Sequence, residues 1–141
     1  MKQFLFCILS FLSLQAFSQI EPDVYTNRPD TLRIAGEIIV PNYQLEELPQ
    51  FPGGPDEMVK WIQKELVFPT QDDIQGKCYV KIAVLSNGKI AQPTVARGIP
   101  GCPECDKEAI RLAKKMPLWI PGKCKGKAVA TEMYIPIEFK R

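Results

Sequence analysis

The sequence predicts an α+β fold: two helices packed on one face of a three-stranded, antiparallel-type sheet whose strands are ordered second, first, third. Three observations carry this expectation. Proline and glycine punctuate residues 51–141 at fixed points, as FPGG at 51–54, MPLWIPGK at 116–123 and MYIPIEFK at 133–140. Two of the intervening segments place apolar residues at helical spacing. Others alternate apolar and polar residues, with Asn87-Gly88 marking a tight bend between the first two strands.

The first helix opens at Gly54-Pro55. Proline at the first helical position loses only an amide that would be unpaired anyway, and Asp56 and Glu57 then meet the positive end of the helix dipole. Met58, Trp61, Ile62 and Leu66 fall on one face, which makes Trp61 a core anchor, and Phe68-Pro69 ends the segment. In the first strand Cys78, Val80, Ile82 and Val84 alternate with Tyr79, Lys81, Ala83 and Leu85. Asn87-Gly88 supplies positive φ for the hairpin turn. The second strand, Lys89 to Arg97, contains Pro93, which lacks the amide a central strand needs and so belongs at an edge.

The second helix begins near Asp106, carries Ala109, Ile110, Ala113 and Met116 inward, and stops at Pro117. A lysine-rich loop follows. Val129, Thr131, Met133, Ile135 and Ile137 then alternate with more polar neighbours as a third strand. A right-handed crossover sets this strand beside the first. Pro136 implies an edge here too, so Ala130, Thr131, Glu132, Met133, Tyr134 and Ile135 are expected to offer backbone groups to another chain.

Ahead of this domain, residues 1–18 read as an export signal. Met1 and Lys2 precede an apolar run from Phe4 to Phe17, and Ala16-Phe17-Ser18 places small residues where a signal peptidase reads. The run is about 14 residues against the roughly 20 of a membrane-spanning helix, so cleavage before Gln19 and a periplasmic location are expected. Residues 19–50 contain Pro22, Pro29, Pro41 and Pro49, which prevent a long helix and suggest an extended, loosely ordered acidic leader. Only Ile34 to Val40 looks strand-like. From Gln19 to Gln75 four Lys/Arg face eleven Asp/Glu, whereas Gly76 to Arg141 has thirteen against five. This asymmetry gives an acidic leader and a basic domain face. Lys123, Lys125 and Lys127 form the basic rim, solvated or set against peptidoglycan or an acidic partner. Export and the lack of a binding motif argue against nucleic acid.

Residues for catalysis are missing. The chain contains no histidine, the commonest general base and metal ligand, and its adjacent carboxylates, Glu46-Glu47 and Asp72-Asp73, point apart in extended chain. No cofactor, metal or enzymatic activity is expected. Four cysteines remain after Cys7 leaves with the signal: Cys78, Cys102, Cys105 and Cys124. An oxidising compartment favours a structural disulfide involving Cys102 or Cys105, with Cys78 within reach of either. The Cys102-Pro103-Glu104-Cys105 motif at a helix start also admits thiol-disulfide exchange. Cys124 belongs at the far end of the sheet, which argues against a four-cysteine zinc site.

Taken in order, LEELPQFPGG at 45–54, IQGKCYVKIAVLSNGKI at 74–90, CDKEAIRLAKKMPLWIPGKCKGKAV at 105–129 and MYIPIEFKR at 133–141 resemble the C-terminal domain of TonB energy transducers, in the form common among Bacteroidetes-like bacteria. The resemblance implies a periplasmic adaptor that binds the TonB box of a TonB-dependent outer-membrane transporter by adding it to the edge of the last strand. It also implies parts that this sequence does not show, namely an inner-membrane helix with a motor histidine and a long proline-rich spacer. A free-standing exported relative that recognises without pulling is therefore expected. The alternatives are a cell-envelope structural or peptidoglycan-binding domain, a CxxC thiol-disulfide protein, and a homodimer formed through edge strands.

Overall fold

The computed structural model describes residues 32–70 and 73–140. The expected signal, its cleavage point and the leader as far as residue 31 lie outside the described residues.

The chain runs through β1 (Arg33–Ile34), β2 (Glu37–Ile38), a 3-10 turn (Asn42–Gln44), α1 (Pro55–Glu65), β3 (Gly76–Val84), β4 (Ile90–Arg97), α2 (Pro103–Lys115), β5 (Gly122–Cys124), β6 (Lys127–Val129) and β7 (Thr131–Phe139). The main sheet is antiparallel with order β4-β3-β7, which is the expected second-first-third arrangement. β3 and β7 pair without a break from Gly76↔Phe139 to Val84↔Thr131. β3 and β4 slip register twice, once where Gln92 adopts φ 46 beside Pro93. This bulge lets an edge strand carry a proline without leaving a ladder bond unmade.

The helices cover one face of this sheet. Val80, Ile82, Val84, Ile135, Ile137 and Phe139 are buried with Leu112 and Ala113 of α2 and Ile62 of α1. Phe51 joins them, its ring 6.0 Å from Trp61 and 5.9 Å from Trp119, which explains why FPGG and the Trp119 turn meet. α1 starts at Pro55 after Gly53 and Gly54, both at positive φ, and Asp56 and Glu57 occupy its first turn as expected. α2 starts at Pro103, and Cys102 Sγ caps it by accepting the Cys105 N–H.

Three local expectations need correction. Asn87 is not among the described residues with positive φ, whereas Gly88 has φ 84. The Gly88 N–H donates to the Leu85 carbonyl, and the Leu85 N–H to the Lys89 carbonyl, so the bend is a three-residue loop with glycine at its left-handed position. The lysine-rich segment is a second hairpin, β5–β6, turned by Lys125 and Gly126 at φ 53 and 73. Residues 34–40 do not form one strand: Ala35 and Gly36, at φ 52 and 83, fold them into the β1–β2 hairpin.

That hairpin packs on the sheet face opposite the helices. Ile34 is buried with Ala83, Leu85 and Ala130, with Ile39 and Ala91 alongside. Residues 46–50 then run beside β5, pairing Glu47↔Lys123 and Gln50↔Ile120. Among the described residues, no helix is long and apolar enough to cross a membrane.

Candidate functional site: the outer edge of β7

The candidate site is backbone, and its geometry follows from which way each β7 amide points. Residues along a strand direct their N–H and C=O groups alternately to the two sides. The Ala130 carbonyl points away from β3, because it accepts the Val40 N–H at 2.9 Å. Glu132, Tyr134, Pro136 and Glu138 share that phase. Thr131, Met133, Ile135, Ile137 and Phe139 therefore aim at β3, opposite Val84, Ile82, Val80, Cys78 and Gly76. Pro136 supports this phase independently, since it sits in a register that stays unbroken although it has no N–H to give.

The six residues expected to carry the edge thus divide by role. Ala130 and Thr131 lie against the leader: Ile39 pairs in parallel with Ala130, and Thr131 Oγ1 donates to the Val40 carbonyl at 2.6 Å. Glu132 and Tyr134 direct their N–H and C=O groups outward. Met133 and Ile135 hold the ladder and direct side chains toward the helices, Ile135 fully buried and Met133 partly. On the open face, Tyr134 is 63 % exposed and Lys81 Nζ lies 3.5 Å from Glu132 Oε1. The role of the leader was missed in the sequence, where Ile38-Ile39-Val40 signalled a strand but not its partner.

The lysine hairpin is engaged by the same leader. Lys123 Nζ lies 3.8 Å from Glu47 Oε2, and the Lys125 N–H donates to Glu46 Oε1 at 2.8 Å. Within the expected basic rim, the Lys123 ammonium is set near Glu47, Lys125 is held to Glu46 through its backbone N–H, and Lys127 starts β6.

Among the candidate cysteines, Cys102 and Cys105 are bonded to each other and Cys78 holds no disulfide. Both bridged sulfurs belong to nearly inaccessible residues, 2 % and 0 % exposed. Cys78 Sγ donates to Asp106 Oδ1 at 3.8 Å. Burial, and then the neighbouring Asp106 carboxylate, push the Cys78 thiol up to about 11. Such a thiol stays protonated and is a poor nucleophile. Cys124 donates to the Gln44 carbonyl at 3.4 Å, where the leader crosses β5. Among the described residues no group of three or more Cys, Asp or Glu is placed to hold a metal ion.

Fold and edge together define a small helix-on-sheet domain in which, among the described residues, the outer edge of β7 beyond Thr131 is paired with no other strand. Residues 70–141 match the family described as Gram-negative bacterial TonB protein C-terminal, and the chain belongs to that family. It is a family of protein-interaction domains acting in transport with outer-membrane transporters. Comparison with curated proteins and with solved structures finds no match.

Proposed function

We propose that this protein is a periplasmic recognition module that binds the TonB box of a TonB-dependent outer-membrane transporter by strand addition to the outer edge of β7. The observation that carries the reading is the outward row of backbone groups at Glu132, Tyr134 and Pro136, on a strand whose other side is fully paired with β3. Strand addition is a recurrent mode in which main-chain bonds give affinity and flanking side chains give selectivity. Each backbone bond contributes roughly 0.5–1.5 kcal/mol net, against an association cost of about 4–15 kcal/mol. Side-chain contacts must add to the ladder, and Tyr134 is the exposed aromatic best placed to make them.

Proline substitution tests this by phase. Tyr134→Pro removes an outward donor and leaves every bond to β3 intact, so the domain stays folded while TonB-box peptides bind about tenfold more weakly in calorimetric titration. Met133→Pro removes a donor to β3 and destabilises the domain by about 1–3 kcal/mol. Unchanged peptide affinity in Tyr134→Pro would sink the reading. The alternatives draw less support. Thiol-disulfide exchange needs an accessible sulfur, and both bridged cysteines are buried. Wall binding through the lysine hairpin competes with Glu47 for the Lys123 ammonium and meets the like charge of Glu46, which holds the Lys125 backbone N–H.

A further inference from the structure

Resting on this reading, we propose that the leader closes the head of the β7 edge. The domain then accepts only a short extended segment, about five residues pairing with Glu132–Pro136, that sets an uncharged apolar side chain over Tyr134 and Pro136.

The upper limit is built by residues 34–44. Val40 bonds the Ala130 carbonyl through its N–H and accepts Thr131 Oγ1 through its carbonyl, so an intramolecular strand already occupies this position. The leader runs parallel to β7 here, and its continuation would track along Glu132 and Tyr134. Pro41 and the 3-10 turn divert it, and that turn packs against β7 with Tyr43 74 % exposed. The stop is firmly held. Ile34 is buried on Ala83, Leu85 and Ala130, and Glu37 Oε2 accepts the Ser86 N–H at 3.1 Å.

The lower limit is Pro136. It offers a carbonyl but no N–H, so the outward donors are interrupted after Tyr134. Between the limits, chemistry on the open face sets the side-chain preference. Tyr134 is paired across from Lys81, and Pro136 from Tyr79, which is 36 % exposed, so Tyr79, Tyr134 and Pro136 form an apolar strip. The Lys81–Glu132 pair beside it balances its own charge. A charged side chain laid on this strip would lose hydration against the rings, and the nearest charges, Lys81 with Glu132 and Lys77 opposite Glu138, already stand beside their opposites.

The test titrates capped peptides of five and nine residues, centred on the TonB box of a transporter encoded in the same genome, into the whole chain and two variants. Ile34→Asp ejects the leader hairpin from the sheet face, and Val40→Pro removes its bond to Ala130. In the unaltered protein both peptides bind within about twofold of each other, and the Val40 amide stays protected from exchange. In both variants the nine-residue peptide gains about three- to tenfold, as one or two added hydrogen bonds provide, and the Ala130 amide shifts. A lysine or aspartate in place of the residue over Tyr134 weakens binding at least fivefold.

Displacement of Val40 by the long peptide in the unaltered protein overturns the inference while leaving strand addition standing. Equal binding of charged and apolar peptides overturns its side-chain preference. No perturbation of β7 by any peptide in any of the three proteins overturns strand addition itself, and this inference with it.

Discussion

Gly88 carries two separate constraints. Its φ of 84 lies where a Cβ is strained, and a Cβ built there would come within 2.1 Å of the Trp119 carbonyl oxygen. The Trp119 N–H also donates to the Gly88 carbonyl, so the β3–β4 loop docks against the turn that carries the buried tryptophan. Gly88→Ala is expected to destabilise the domain by at least about 2 kcal/mol. Gly126→Ala meets open space at φ 73 and should lose only about 1 kcal/mol. Urea midpoints of the two variants check this difference. A second expectation at this scale concerns Cys78, whose folded thiol is held near 11 against an ordinary 9.0. Its contribution is complete below pH 9.0 and is lost as pH rises toward about 11, because the unfolded thiol ionises first. Iodoacetamide at pH 8 should label the Cys78 peptide only after unfolding, as mass spectrometry would read. The need for Gly88 was legible as a turn signal, but its contact with Trp119 links residues 31 apart and has no local signature.

Among the elements, α1 and α2 are stapled by a charged seam the apolar spacing did not reveal. Arg111 bonds Glu108 at 2.8 and 2.6 Å and also donates to the Glu65 carbonyl, while Lys115 reaches the Glu65 carboxylate. Glu108 accepts the Val67 N–H at 2.8 Å, holding the chain that leaves α1. Burial raises the Glu108 carboxyl, but the Arg111 guanidinium and the Val67 N–H outweigh it and hold the group below its usual range. A depressed carboxylate stabilises the fold above its unfolded pKa, and that contribution is lost as pH falls through the folded value. Stability should therefore decline below about pH 4.5, and Glu108→Gln should flatten part of that decline in denaturation curves measured from pH 7 to pH 3. The fully buried Leu112 was missed, but most inward residues of both helices, Met58, Trp61, Ile62 and Leu66 along α1 and Ala109, Ala113 and Met116 along α2, were readable because burial imposes the 3.6-residue period directly. The seam was not, since charged residues at that spacing equally describe a solvated face.

At the scale of the whole molecule, the opposite charges of the two halves meet in the fold. Glu47 faces the Lys123 ammonium, Glu46 accepts the Lys125 backbone N–H, and the leader wraps the open face and one end of the sheet before entering α1. Glu46→Gln with Glu47→Gln should lower stability by less than about 1 kcal/mol, yet accelerate amide exchange at Lys123 and Lys125, more so at low salt. Unchanged exchange would mean that the backbone pairing alone holds the leader. What the sequence by itself determined was the two helices, the three strands of the main sheet with their order, and most of the helix-facing core. Those follow from local propensity, turn chemistry and the side-chain periods of helix and strand, all of which are written in neighbouring residues. Only the tertiary structure decided which part of the β7 edge stays open, which cysteines pair and what the lysines face. Each of these depends on residues brought together from distant parts of the chain, as Val40 is to Ala130, and such contacts leave no periodic trace in the sequence.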